Sequence, residues 1–165
     1  MPKCLHFLVA TVLLLAFLLT GCGASQSAKD IYLAFAQKYP LPAGHMFDSA
    51  LPERNPDCFT YDQFHHAFAL QDGSDGWAYI DHAVFWQNTT SQKIEEIAIF
   101  SCHDRGGAEA VAAICQNRMK LLCSMRHYVD VSATEGATIT IYGKTVVCLV
   151  LRDNAKAKKI MDGIF

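Results

Sequence analysis

The chain predicts a single α+β domain of two layers, a mostly antiparallel sheet in β-β-α-β-β-α order preceded by two short helices. Three observations carry this fold class. Residues 77–102 alternate at period two, the helical spacing that follows Gly106-Gly107 marks a long helix, and Gly143-Lys144 joins two β-branched runs into a hairpin.

Taken in order, Ser27 caps a first helix with Asp30 three residues on, and Ile31, Phe35 and Tyr39 fall on one stripe. Residues 39–56 hold Pro40, Pro42, Pro52 and Pro56 with Gly44 among them, so the segment reads as an extended connector. Thr60 and Gln63 make the capping-box pattern of a second short helix, whose stripe is Phe64, Ala67 and Phe68. Residues 72–76 end it as a polar turn.

In the next segment Ile80, His82, Val84 and Trp86 alternate against Asp81, Ala83, Phe85 and Gln87, a strand buried on both faces near its end. A polar turn at 88–92 leads to a second strand over 95–102, with Ile97 and Ile99 on one face and Ala98 and Phe100 on the other. Gly106-Gly107 breaks that strand. The long helix then runs to about Arg126, with Val111, Ile114, Cys115, Met119, Leu122 and Cys123 on its apolar side. Strands over 138–142 and 145–151 flank Gly143-Lys144, a two-residue loop with glycine first, as a type II′ turn requires. Asp153 or Asn154 caps the final helix, where Ala157, Ile160, Met161 and Ile164 form the buried stripe and Lys156, Lys158 and Lys159 stay wet.

The first 21 residues have the parts of an export signal: Lys3 as positive head, an apolar stretch over 5–19, and small residues before a cut site. That stretch is shorter than the about 20 residues a spanning helix takes. Leu19-Thr20-Gly21-Cys22 resembles the lipobox of bacterial lipoprotein precursors, in which the cysteine thiol takes a diacylglycerol and becomes the first residue after cleavage. Two acyl chains anchor a protein stably, whereas one is marginal at about 0.8 kcal/mol per buried methylene. An ordinary secretory signal with a chance cysteine and an uncleaved anchor are the alternatives, and all three place the domain outside the cytoplasm. The expected organisation is a lipoprotein signal peptide over 1–21, the lipidated Cys22 and a tether over 22–28, and one α+β domain over 29–165, held on the outer face of the bacterial cytoplasmic membrane.

Without residues 1–21 the chain keeps 144 residues, enough for one core and too few for the two lobes of a solute receptor. Over the full sequence 14 Lys and Arg stand against 16 Asp and Glu, and removing residues 1–21 takes away only Lys3, so no basic excess is left, which argues against nucleic acid as a partner. Beyond Cys4 and Cys22 there are Cys58, Cys102, Cys115, Cys123 and Cys148. Five is an odd number, no CxxC pair occurs, and apolar neighbours such as Ala113-Ile114 and Val147 favour buried thiols over a disulfide framework.

Residues 94–100 (Ile-Glu-Glu-Ile-Ala-Ile-Phe), the long helix with Cys115 and Arg118, Tyr142-Gly143-Lys144-Thr145-Val146-Val147 and the Asp-capped last helix resemble a family of small lipoproteins. That family is built on a domain of unknown function and is found mainly in anaerobic Gram-positive bacteria. The similarity covers roughly 29–165. It implies the architecture and the lipid anchor, and it brings no catalytic or ligand residues with it.

His65, His66, His82, His103 and Cys102 are the set from which a metal or catalytic site would have to be built. Neighbouring histidines on a helix point about 100° apart, and neighbouring residues on a strand point to opposite faces. Neither His65-His66 nor Cys102-His103-Asp104 is therefore a ready-made site, and no catalytic residue, metal or cofactor is expected. Asp81-His82 and Glu95-Glu96 read as solvated charges across the first hairpin. Trp77, Tyr79, Phe85 and Trp86 concentrate aromatics at the first strand and make the expected docking surface. The functional expectation is thus a non-enzymatic binding or interaction module. Its partners are the membrane, through the lipid on Cys22, and a protein or envelope component; the alternative is a metal-assisted or thiol-dependent hydrolase.

Overall fold

The computed structural model describes residues 26–70, 75–89 and 93–165. The expected signal, the expected lipobox at Cys22, most of the expected tether and parts of the polar turns expected at 72–76 and 88–92 lie outside the described residues. Helix α1 spans Ala28–Ala36 and begins at a complete capping box, with Asp30 N–H donating to Ser27 Oγ at 3.1 Å. Helix α2 spans Tyr61–Ala67 and begins at a second one built from Thr60 and Gln63. Strands β1 (Gly44–Asp48), β2 (Ile80–Asn88) and β3 (Glu96–Cys102) precede the long helix α3 (Arg105–Ser124). Strands β4 (Thr138–Tyr142) and β5 (Thr145–Val150) and helix α4 (Asn154–Asp162) complete the chain. The sheet order is β1-β2-β3-β5-β4, and every neighbouring pair is antiparallel.

The class is α+β, but the layers number three where two were expected. Val146, Cys148 and Val150 of β5 pack with Ala98 and Phe100 of β3 under α2 and α3. Val147 and Leu149 pack with Ile97 and Ile99 on the other face, under α1 and α4. All six residues of β5 are buried, so helices on one face alone would leave a row of valine and leucine in water. At about 25 cal/mol per Å2 of apolar surface, that exposure is strongly unfavourable, and α1 and α4 remove it.

The proline-rich connector contains a strand the sequence hid. Residues 44–48 pair with Val84–Asn88 as an edge strand, and the prolines lie outside it, where no ladder hydrogen bond is lost. A Cβ on Gly44 would lie 2.4 Å from three indole atoms of Trp86, so the strand can lie across that ring only with glycine there. β2 also departs from simple alternation. Ile80 pairs with Cys102 but His82 with Ser101, so Asp81 is the extra residue of a bulge. The bulge turns Ile80 towards the α3 face, away from Val84 and Trp86, with which alternation had grouped it. Asp81, turned outward, meets His103 Nδ1 and lies 3.6 Å from Lys144 Nζ.

Gly106-Gly107 does not break the chain before α3 but forms its first turn. Asp104 is the cap, its Oδ1 accepting from Gly107 N–H at 2.7 Å. Gly143 has φ +60°, while Lys144 is not among the positive-φ residues, as the expected type II′ turn demands. Asp153 caps α4 through Lys156 N–H, while the buried Asn154 side chain bonds Leu151 N–H and the carbonyls of Ala133 and Glu135.

Glu95 and Glu96 are not solvated cross-strand charges. They are 4% and 3% exposed and, being neighbours on extended backbone, point to opposite faces. Glu96 takes a two-pronged contact from Arg118 of α3 at 3.1 and 2.8 Å. Glu95 accepts from the Arg152 backbone N–H at 3.1 Å and its Nε at 3.2 Å, and from the Asn88 amide at 3.2 Å.

Candidate functional site: an apolar groove beside the β1 edge

The connector between β1 and α2 brings Phe59 into the core, where its ring stacks on Phe85 at 5.5 Å. Phe85 in turn lies directly opposite Phe47 in the β1–β2 register. Helix α2 is held above these rings by Phe64 and Phe68, which are 0% and 1% exposed and pack on Phe100 and Phe85. Between helix and edge strand this leaves a groove of about 360 Å3, lined by Phe47, Phe59, Phe85 and Ala67, with Asp62, Gln63, His66 and Gln87 around them. An apolar floor with a few polar groups at the rim is the form of a recognition pocket for an apolar or aromatic group. A larger hollow of about 730 Å3 follows α3, but it is more open and has a larger polar share than the groove, with Arg126, His127, Asp130, Ser132 and Glu135 among its lining residues.

Next to the groove, the end of β1 carries a buried acid. Asp48 is 1% exposed and receives Lys29 Nζ of α1 at 3.0 Å, His82 Nε2 of β2 at 2.7 Å and the Ala50 N–H at 2.9 Å. Burial pushes the Asp48 carboxyl up, but the bonds from His82, Ala50 and Lys29 outweigh it and hold the group below its ordinary value. A depressed acid stabilises the fold fully above the unfolded carboxyl value of about 4, and this contribution is lost as pH falls through the folded value. The expected result is that Asp48→Asn flattens the loss of stability on acidification below about pH 4. Urea unfolding of both proteins across pH 3–6 measures the difference.

The four aromatics expected to form one docking surface do not share one. Phe85 and Trp86 are 4% and 3% exposed and point to opposite faces of the sheet, as successive strand residues must. Trp77 packs against Phe64 and Phe59 at 5.4 and 5.9 Å between ring centres, and Tyr79 alone is well exposed, at 46%. Only Phe85 belongs to the groove. Phe47 went unread because it sits in the proline-rich stretch 39–56, which has no period of its own, and Phe59 because it falls between that stretch and the start of α2.

The histidines are dispersed in the same way. His82 is engaged by Asp48, and His103 by Asp81, which precedes His82 at the start of β2. His65 packs on Tyr61, and His66 reaches the groove rim. Among the described residues, no three His, Cys, Asp or Glu side chains are placed to share a metal ion. Cys102 is fully buried, its thiol pushed up to about 11 by that burial, with Cys115, Asp81 and Asp104 adding to the effect. His103, the next residue, is turned outward to Asp81. The five described cysteines are free thiols. Cys58, Cys102, Cys115 and Cys148 are buried, whereas Cys123, placed by spacing on the apolar stripe of α3, is exposed.

The chain matches no protein-family model, no curated protein and no solved structure.

Proposed function

We propose that the chain is a bacterial lipoprotein, held at the outer face of the cytoplasmic membrane by a diacylglycerol on Cys22. Its domain acts as a binding module whose groove between α2 and β1 receives an apolar side chain of a protein or envelope partner. The observation that carries this reading is the short distance along the chain from lipobox to fold. Ser27 already closes the capping box of α1, so four residues, 23–26, separate Cys22 from the domain. Even fully extended, that link reaches roughly 18 Å. A domain on so short a tether works at the membrane surface, where a groove with a greasy floor selects among neighbouring envelope proteins. Phe47, Phe59 and Phe85 supply contact area, and the Asp62, Gln63 and Gln87 side chains at the rim supply orientation.

Metabolic labelling with a tagged fatty acid in a lipoprotein-processing host tests the anchor. The wild-type chain is expected to take the label and fractionate with membranes, and Cys22→Ala to lose both properties; a label retained by Cys22→Ala, or absent from the wild type, refutes it. A photo-crosslinker placed at His66 tests the groove in the same cells. It is expected to capture a partner that Phe47→Asp releases and that the same probe at Lys159, on α4 behind the sheet, does not reach.

A further inference from the structure

The two edges of the sheet are not alike. At β1, the Asp48 N–H and C=O are engaged by Asp57 C=O at 2.9 Å and Phe59 N–H at 3.3 Å, so the chain closes part of its own edge. At β4, among the described residues, nothing does this. The two-residue turn makes Tyr142 and Thr145 a hydrogen-bonded pair, and the register then assigns the N–H and C=O groups of Thr140 and Thr138 to β5 as well. The main-chain groups of Ile139 and Ile141 therefore point away from the sheet. Among the described residues, no hydrogen bond reaches them. The strand reads Thr138-Ile139-Thr140-Ile141-Tyr142, with no lysine, proline or bulge of the kind that protects an exposed edge.

We propose that this edge is a self-association surface: two copies of the chain pair β4 against β4, antiparallel, about a two-fold axis at Thr140, to make one continuous ten-stranded sheet. The register follows from which groups are free. With Thr140 opposite the second copy's Thr140, Ile139 lies opposite the second copy's Ile141, and the two exchange both N–H···O bonds. The axis repeats this on the other side, so all the outward groups of both strands are paired in a single register. A slip of one residue would set outward groups against groups already bonded to β5. The isologous arrangement also matches side chains. Ile139 and Ile141, which already pack on the α3-face core, meet their counterparts and extend it, while on the other face Thr140 meets the second copy's Thr140 and Thr138 its Tyr142. Charges at the ends are complementary. Lys144, 45% exposed, comes opposite the second copy's Gly136, beside its exposed Glu135, and the axis makes this contact twice. This association needs only a second copy, so it stands apart from the lipid anchor and goes beyond the groove.

The register makes a sharp test, because the central pair is of the non-hydrogen-bonded kind. Such residues have Cα atoms about 4.5 Å apart, within the roughly 4.4–6.8 Å that a disulfide spans. Residue 138 would face the second copy's residue 142, leaving the two copies of residue 138 about 14 Å apart at roughly 3.4 Å per residue. The full chain carrying Cys123→Ser, extracted in mild detergent, is the parent. Thr140→Cys and Thr138→Cys are oxidised side by side with copper phenanthroline and air, and circular dichroism checks that both remain folded. The expected result is a disulfide-linked dimer from Thr140→Cys and only the parent's background from Thr138→Cys. Adding Ile141→Pro, which removes an outward N–H and spares the β5 ladder, is expected to cut the Thr140→Cys dimer by roughly tenfold. Equal crosslinking at 138 and 140, or none above background at 140, overturns the proposal. Repeating the pair in the Cys22→Ala chain separates it from the anchor, since loss of the lipid alone leaves the preference for 140 intact.

Discussion

Replacing Arg118 by methionine is expected to destabilise the fold by about 3–5 kcal/mol, read as a lower urea midpoint, because it leaves the Glu96 carboxylate buried without its charge partner. The Glu96 side chain is 4% exposed and Arg118 14%, so water can replace little of what is lost. The guanidinium also donates to the Ala67 carbonyl, at the last residue of α2, so the same substitution loosens the helix that roofs the groove. Replacing Glu96 by leucine in the Arg118→Met protein is expected to recover most of the stability, since two apolar side chains of similar size remove both charges and their desolvation together. The nearby Glu95 gives the contrast. Arg152 is 61% exposed, and Glu95 keeps the Arg152 N–H and the Asn88 amide whatever side chain stands at 152, so Arg152→Ala is expected to cost much less than Arg118→Met. Equal midpoints for Arg118→Met and the parent would show that this pair contributes nothing.

Phe64→Ala is expected to cost a similar amount, about 3–5 kcal/mol, for a different reason. Phe64 is fully buried and its ring meets those of Phe59, Phe68, Trp77 and Phe100, at 5.0 to 6.4 Å between centres. Removing it opens a cavity where the seven-residue α2 joins the sheet, and a helix that short has no stability of its own to fall back on. Phe64→Leu keeps most of the volume and is expected to lose far less. Thermal unfolding of the two variants, together with partner capture from His66, separates lost stability from a lost groove. If Phe64→Ala melts like the parent, α2 is not held by this ring.

These two residues also mark how far the sequence could be read. Phe64 was legible: Thr60 and Gln63 set the start of α2, and helical spacing puts Phe64 and Phe68 on its inner side, where they are found. The role of Glu96 was not, because a charge on a strand most often faces water, and only the approach of α3 brings Arg118 to it. The groove was half legible for the same reason. Phe85 announced itself by alternation, but Phe47 comes from a segment whose prolines hide any period and Phe59 from the short link between that segment and α2, and they matter only once β1 lies beside β2.

The local grammar of the chain is the sequence's own work. Ser27, Thr60, Asp104 and Asp153 start α1 to α4 through bonds made within three residues, and Gly143 closes the turn between β4 and β5 because that turn needs a positive φ. Such features are specified by neighbours along the chain, so they can be read from it directly, although a helix as short as α2 still needs the core to persist. What only the tertiary structure decided are the features that depend on residues far apart: the edge strand at Gly44–Asp48, the bulge at Asp81, the third layer, and the ion pairs of Glu96 with Arg118 and of Asp48 with Lys29. Each gains its stability from burial and from pairing across the sheet. Those terms come into being only when the sheet has formed and its two faces have been covered.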